Sequence, residues 1–311
     1  MNQSRQSASR LHHHKRGDMR TKGQKIFNVF NLIFMFILLF VTLYPFYYVI
    51  CASFSDAKEL LKWEGPLWEI LKPATLEGYN LTFINENIPL GFSNTVFYVI
   101  SGTLLSLSLT IAAAFVITRK HFMLKRFMTK IILIPMFFNG GIIPLYLVVK
   151  KIGIFDTRWA MILPWAINSY NITIMRTFFL GIPAELEESA ILDGANDLHV
   201  LVRIIFPLSS AVIAVITLYY AVGLWNSWYP ALMFMRNRKL YPIQMFLREI
   251  LIANQASTSA NATAATMVTE VFTRELVKYC TVVVSTVPIV IVYPFLQKYF
   301  VKGVMIGAIK E

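Results

Sequence analysis

Long windows without a charged residue are the feature of this sequence that most limits its fold. The windows from Ile26 to Ser55 and from Asn87 to Thr118 contain no Asp, Glu, Lys or Arg. A helix of about 20 apolar residues crosses the roughly 30 Å hydrocarbon core of a bilayer. Only 15% of the 311 residues are charged, against about a quarter in a soluble domain. The chain is therefore predicted to be an all-α membrane protein.

Further uncharged windows bring the predicted number of transmembrane helices to six. The window from Ile250 to Thr269 is not counted, because polar residues dominate it and burying them in lipid is unfavourable. It is predicted to be an external loop. A transmembrane domain, 26–300, thus lies between a basic N-terminal tail, 1–25, and a C-terminal tail, 301–311. The spans are predicted at 26–50, 94–117, 131–149, 159–180, 208–228 and 279–299.

The distribution of Lys and Arg predicts the orientation. Seven of the 29 basic residues precede the first span, and five lie between Arg119 and Lys130 without an acid. Because basic flanks favour the cytoplasm, both termini are predicted to be cytoplasmic. The predicted outer segment from Arg236 to Lys278 carries six basic residues against this rule, which is weaker for long loops. Basic flanks beside apolar spans also explain the net charge of +12 and argue against nucleic-acid binding.

Polar residues interrupt several spans. Asn139, Asn168 and Asn171 lie in the third and fourth spans, which also contain Pro and Gly. Pro and Gly free backbone groups that neighbours or a wet cavity must satisfy, as in a conduit. Polar packing between helices explains each Asn equally well. No acid lies within a span and no catalytic or metal-binding set is recognisable, which disfavours a membrane enzyme or an ion-coupled transporter.

The segment 182–207, between the fourth and fifth spans, is predicted to form a helix-turn-helix elbow. Pro183 and the acids that follow it suit the first turn of a helix. Gly194 is placed to end that helix in a left-handed conformation. Asn196 or Asp197 can cap a second short helix, which Pro207 is predicted to turn into the next span.

This elbow resembles the coupling loop of ABC importer permeases. The family pattern is Glu-Ala-Ala, three residues, Gly, and later Ile-x-Leu-Pro; Asp-Gly-Ala is its form in sugar importers. Ser189 and Phe206 are mild departures from it. Phe137 to Pro144 and Tyr299 to Gly303 are similar to the second permease of polysaccharide and complex-oligosaccharide importers. The residues that match the coupling pattern are Glu188, Ser189, Ala190, Asp193, Gly194, Ala195, Ile204 and Pro207.

The resemblance implies a multi-pass permease in a bacterial cell membrane, surrounded by lipid. It implies that the chain pairs with a second permease, that the elbow docks on a dimer of ATPase subunits, and that an external binding protein delivers a sugar. Since the chain has no Gly-x-x-x-x-Gly-Lys-Ser/Thr loop, ATP and Mg²⁺ are expected on the ATPase, and no cofactor or catalytic activity is expected here. An importer of a non-sugar solute is the alternative.

Aromatic and amide side chains near the outer half of the fifth span suit a sugar path, because sugar rings present flat apolar faces and hydroxyl groups. Aromatic residues also form ordinary belts at membrane interfaces. Cys51 and Cys280 are expected to be free thiols, although a bridge is conceivable. The candidate pathway residues are Asn139, Asn168, Asn171, Tyr219, Tyr220, Trp225 and Asn226.

Overall fold

A computed structural model describes residues 21–119, 121–256, 274–292 and 294. Within these ranges every regular element is a helix, as an all-α membrane protein requires. The predicted N-terminal tail up to residue 20, the predicted C-terminal tail, and the end of the sixth span lie outside the described residues.

Helix α1, Lys22–Phe54, is 33 residues long and begins with a capping box. Thr21 Oγ1 accepts a hydrogen bond from the Gln24 amide at 3.3 Å, and Gln24 Oε1 accepts one from the Thr21 amide at 2.9 Å. Nearly all side chains between residues 26 and 50 are exposed in the isolated chain. A helix this apolar and this exposed is stable only in hydrocarbon or against another subunit.

The end of α1 packs against a short, irregular segment. Asp56 caps α2, Ala57–Lys62, and α3, Glu77–Ile84, follows after an extended stretch. Leu67 in that stretch is fully buried, and its amide donates to Tyr44 Oη at 2.9 Å. Cys51 and Cys280 are both buried free thiols.

Helix α4, Asn87–Thr118, is an unbroken helix of 32 residues at the centre of the fold. It packs against α8, Ser169–Leu180, and α12, Ser210–Trp225. In water, burying these apolar side chains would stabilise the fold by about 25 cal/mol per Å². In lipid this hydrophobic contribution is absent between helices, and close packing stabilises their association instead. The core comprises Ile111, Ala114, Phe115, Ile117, Ile172, Met175, Phe179, Val200, Ile205, Val212, Ile213, Ile216 and Tyr220.

The third predicted span, 131–149, is not one helix. Helix α5, Lys125–Phe137, ends before Phe138, and α6, Ile142–Ile152, begins after Gly141, whose φ is +81°. Asn139 Oδ1 accepts from the Gly141 amide at 2.9 Å and closes the turn between the two helices. The ψ of Gly141 is −179°, and this combination of positive φ with extended ψ is essentially restricted to glycine, so the sequence itself dictates this break.

The spans predicted at 159–180 and 208–228 are interrupted as well. In the former, α7, Trp159–Ile162, continues as the 3-10 turn Leu163–Trp165 before α8 begins. Asn168 caps α8, since its Oδ1 accepts from the Asn171 amide at 3.1 Å. In the latter, α12 ends at Trp225 and α13, Trp228–Phe234, follows after a turn. The Asn168 cap and Pro164 thus divide a stretch at 159–180 that hydrophobicity alone presents as continuous.

Within the described ranges, three helices are long and apolar enough to cross a membrane: α1, α4 and α15, Arg274–Val292. A fourth is counted if 197–208 and α12, which meet at 84°, form one bent span. The arrangement of six spans therefore stays a prediction.

Helix α14, Ile243–Ala256, corrects the predicted loop at 250–269. Buried Ile243, Met245 and Phe246 anchor its first turns, and residues 250–256 of the predicted loop are helical. Residues 257–269 of that prediction lie outside the described ranges.

Candidate functional sites: an elbow and a cavity

The first helix of the elbow ends in a Schellman motif. Helix α9, Ala184–Leu192, is followed by Asp193 and by Gly194, whose φ is +83°. The Gly194 amide donates to Ile191 O at 3.0 Å and the Ala195 amide to Ala190 O at 2.9 Å. This pair of bonds requires a left-handed residue at the Gly194 position. The glycine therefore sets the direction in which the chain leaves α9.

The second half of the elbow begins at Asn196, whose Oδ1 accepts from the His199 amide at 2.8 Å. Helix α10, Asp197–Val200, continues through a π-helical turn, Leu201–Ile205, into α11, Phe206–Leu208. Pro207 was predicted to turn the chain, but the 84° bend into α12 follows Leu208, at Ser209. Pro207 is tolerated in the first turn of α11, where a missing N–H costs little.

The elbow has one face packed and one face exposed. Ala190, Ala195, Val200 and Ile205 pack on the core built from α4, α8 and α12. On the other side, Leu192 is 88% exposed, and the exposed acids Glu188 and Asp193 lie close to it in the sequence. An exposed apolar patch with a charged rim is typical of a protein interface. The other large exposed apolar side chains of the elbow are Leu186, Ile191, Leu198, Val202 and Phe206.

The eight residues of the coupling pattern divide between these two faces and the turn. Ala190 and Ala195 lie on the packed face, while Glu188 and Asp193 are exposed. Ser189 Oγ donates to Leu186 O at 3.2 Å within α9. Ile204 is half-buried in the π-helical turn and Pro207 is exposed in α11.

An ion pair that the sequence did not suggest joins the elbow to α4. The guanidinium of Arg119, directly after α4, contacts the carboxylate of Glu187 in α9. Arg119 Cζ lies 4.2 Å from the centroid of the Phe115 ring, and its Nε donates to Phe115 O at 3.3 Å. In the sequence, Arg119 is only one of the basic residues beside a span. It therefore indicates the orientation of the chain, but not a contact with Glu187.

A cavity of about 500 Å³ lies between the start of α8 and the end of α12. It brings together five of the seven candidate pathway residues, and Trp165, Tyr170 and Tyr229 add aromatic surface from outside the predicted set. No Lys, Arg, Asp or Glu is among the residues described around it. The lining consists of Ser106, Trp165, Ile167, Asn168, Tyr170, Asn171, Tyr219, Tyr220, Gly223, Leu224, Asn226, Ser227, Tyr229 and Pro230.

The polar groups of this cavity differ in their hydrogen-bond partners. Tyr220 Oη and Thr110 Oγ1 form a hydrogen bond of 2.7 Å, which fixes that ring against α4. Asn226 Nδ2 donates to Val222 O at 3.0 Å. Ser227 Oγ is buried and has no hydrogen-bond partner among the described residues. A buried hydroxyl without a partner is energetically unfavourable.

The other two candidate pathway residues, Asn139 and Trp225, do not line the cavity. Asn139 closes the turn between α5 and α6, and Trp225 is buried, with its Nε1 donating to Ser285 O of α15 at 3.1 Å. The hydrophobicity of the sequence does not indicate which face of α12 lines the cavity. Among the described residues no group of His, Cys, Asp and Glu is arranged to hold a metal ion.

Residues 107–306 match the family described as "Binding-protein-dependent transport system inner membrane component". This match covers more than half of the chain and includes the elbow and most of the cavity. The chain belongs to this family. It is thus a membrane permease subunit of an ABC importer, in which permease components have no ATPase site of their own.

Individual relatives are similar over almost their whole length. Protein LplC of Bacillus subtilis is 38% identical over 290 residues, which cover 93% of this chain and 97% of that protein. The polygalacturonan/rhamnogalacturonan transport system permease protein YtcP of the same species is 36% identical over 286 residues, 90% and 97% of the two chains.

A solved structure has the same fold. It is the crystal structure of a bacterial ABC transporter involved in the import of the acidic polysaccharide alginate. One chain of it superposes with a TM-score of 0.81 at 29% identity, and the match covers 90% of this permease and 99% of that chain.

Proposed function

We propose that this permease passes a sugar or oligosaccharide from an external binding protein to the cytoplasm. The aromatic and amide cavity between α8 and α12 carries the proposal. Tyr219 and Tyr170 offer exposed ring faces to the apolar side of a pyranose, while the amides of Asn171 and Asn226 in the cavity lining suit its hydroxyls. A largely apolar pocket with a few placed polar groups is the usual design of a small-molecule site.

Among the proteins reported above, YtcP and the alginate transporter have saccharide substrates in their descriptions. Both support a saccharide rather than an amino acid or peptide. The elbow also fits this role, because Leu192 and Leu198 present apolar surface to a partner while Ala190 and Ala195 anchor the elbow to the core.

In the proposed assembly the elbow faces the cytoplasm and docks on one subunit of an ATPase dimer, which binds ATP and Mg²⁺. A second permease completes the pathway beside the cavity, and the exposed α1 supplies apolar surface for lipid or for that permease. Both termini are cytoplasmic, and six spans complete the transmembrane domain. Closure of the ATPase dimer would move Glu188 and Gly194 with the elbow and change the packing of α4, α8 and α12 around the cavity.

The test is reconstitution of the permease pair, ATPase and binding protein in vesicles. We expect saccharide uptake that requires ATP and the binding protein, and ATP hydrolysis that the loaded binding protein stimulates. Stimulation by amino acids or peptides, with no response to any oligosaccharide in a panel of neutral and acidic sugars, would contradict the proposal.

A further inference from the structure

At the end of the bundle opposite the elbow, basic residues collect on two segments, 150–158 and 236–249. In the proposed topology both segments face the outside. They contain two acids, Asp156 and Glu249. The cations are Lys150, Lys151, Arg158, Arg236, Arg238, Lys239 and Arg248.

Both acids are already engaged. Asp156 Oδ1 accepts from the backbone amides of Arg236 and Asn237, each at 2.8 Å. Glu249 Oε2 accepts from Arg238 Nη2 at 2.8 Å. Within the described part of the chain, no carboxylate forms an ion pair with Arg158, Arg236 or Arg248. These two segments therefore carry a surplus of unpaired positive charge.

Each of the four arginines lies over an aromatic ring. The Cζ atoms lie 4.5 Å from the ring centroid of Phe97 for Arg158 and 5.5 Å from that of Phe155 for Arg236. Arg238 and Arg248 lie over Phe246 and Trp228 at 5.7 and 5.2 Å. Such stacking favours a flat orientation in which the edge of the guanidinium can bind a carboxylate with two hydrogen bonds. We call Arg158, Arg236, Arg238 and Arg248 the arginine face.

Helix α4 holds the two segments together. Asn94 Oδ1 accepts from Arg158 Nη2 at 3.4 Å, and Asn94 Nδ2 donates to Lys239 O at 2.8 Å. Tyr98 Oη donates to Leu240 O at 2.7 Å, and Thr95 Oγ1 accepts from the Ile243 amide at 2.9 Å. Arginines far apart in the sequence are thus presented by one rigid frame.

The position of this charge runs against the tendency of membrane proteins to keep basic residues inside. The preceding outer segment, 56–86, follows the tendency with six acids and three cations. Topology therefore does not favour arginines at 158 and 236–248, whereas an anionic ligand would. Clustered positive charge with little opposing charge raises the local concentration of anions.

The arginine face also leads towards the cavity. Arg248 stacks on Trp228, whose ring centroid is 5.5 Å from that of Tyr229, and Tyr229 lines the cavity. Because the described cavity lining has no charged side chain, it can recognise sugar rings but has no cation to pair with a carboxylate. Selection by charge would then occur at the arginine face.

We propose that the arginine face binds the carboxylates of an acidic, uronate-containing oligosaccharide as it enters the cavity. This inference rests on the proposed saccharide import and names its substrate class. It separates two tasks, since the arginines select for charge and the cavity accommodates the rings.

The experiment compares a galacturonate oligosaccharide with its fully methyl-esterified form, which has the same length and no charge. Uptake and stimulated ATP hydrolysis are measured in the complete reconstituted complex. We expect the acid to be preferred by the wild type. Arg158→Gln with Arg236→Gln should lower kcat/KM for the acid on the order of tenfold, with little change for the ester.

Two further variants separate structure from recognition. Arg158→Lys with Arg236→Lys keeps the charge but removes the planar fork, and should give an intermediate loss for the acid. Lys58→Gln removes an exposed cation from the acidic outer segment and should leave the preference unchanged.

Three results would overturn the inference. Equal loss for acid and ester, with weaker attachment of the empty binding protein, would make the face a docking surface for that protein. Uptake of neutral oligosaccharides only would refute the acidic class while leaving saccharide import intact. Failure with every saccharide would instead refute the proposed function on which the inference rests.

Discussion

Arg119 forms an ion pair with Glu187 and so ties the elbow to the end of α4. The side chain of Arg119 is only 14% exposed and that of Glu187 32%, so water screens the contact less than at an open surface. At its other end, the same unbroken helix binds the segment around Lys239 through Asn94. A single helix therefore contacts both the elbow and the arginine face.

Reversing the charges of this pair should uncouple the proposed transporter. We expect Arg119→Glu or Glu187→Arg to reduce ATP-driven uptake strongly, because like charges at this contact push α9 away from α4. The double variant should recover much of the lost uptake, since it restores an opposite-charge pair. Uptake and ATP hydrolysis are measured at matched membrane levels. If the double variant is no better than the worse single variant, the pair does not transmit the motion.

A second prediction concerns Gly194. No atom lies within 4 Å of a Cβ built there, so a substitution acts through the backbone alone. A β-branched residue with positive φ is strained by about 1–2 kcal/mol or more. Gly194→Val should therefore misdirect α10 and reduce co-purification of the ATPase, whereas the membrane level of the permease should be unchanged.

Asn tolerates the left-handed conformation better than other non-glycine residues, so Gly194→Asn should have a smaller effect. His199→Ala, on the second elbow helix, is a control that keeps the Asn196 cap intact. Wild-type coupling in Gly194→Val would refute the role proposed for this turn.

These two predictions show what sequence alone can reach. The turn at Gly194 and a cap at Asn196 or Asp197 were predictable because their signals lie within a few residues of each other, and the structure has the cap at Asn196. The Arg119–Glu187 pair joins residues 68 positions apart, and nothing local to either residue indicates the other. Likewise, the apolar window at 208–228 concealed that Trp225 faces α15 while Asn226 faces the cavity.

The third prediction concerns Asp156, which joins the two basic segments 150–158 and 236–249. Asp156 has a φ of +58°, and its carboxylate binds two backbone amides. Asp156→Ala should destabilise the permease by about 2 kcal/mol, because both bonds are lost and Ala is strained at that φ. Asp156→Asn keeps an acceptor and the conformational tolerance, so it should unfold near the wild-type temperature. The measurement is the midpoint temperature of thermal unfolding of each purified variant, compared with that of the wild type.

The fourth prediction tests the proposed topology. In a background without Cys51 and Cys280, Leu198→Cys on the elbow should react with a membrane-impermeant thiol reagent only in inverted vesicles. Lys239→Cys should react in intact cells. Both positions are exposed, so differences in labelling report sidedness. The reverse pattern would place the elbow outside and contradict the proposed docking on an ATPase.

The fifth prediction concerns the cavity. Asn171 and Tyr219 line it from opposite helices, and Tyr219 is 46% exposed in the chain. Asn171→Ala and Tyr219→Ala should each lower kcat/KM for saccharide uptake on the order of tenfold, because they remove a polar contact and a stacking face respectively. Tyr219→Phe keeps the ring and should retain most of the activity. Asn80→Ala, an exposed amide on α3, is the matched control.

Because Asn171 and Tyr219 are uncharged, the loss should be similar for acidic and esterified oligosaccharides, unlike the loss expected at the arginine face. Equal activity of all four variants would show that the saccharide takes another path through the membrane.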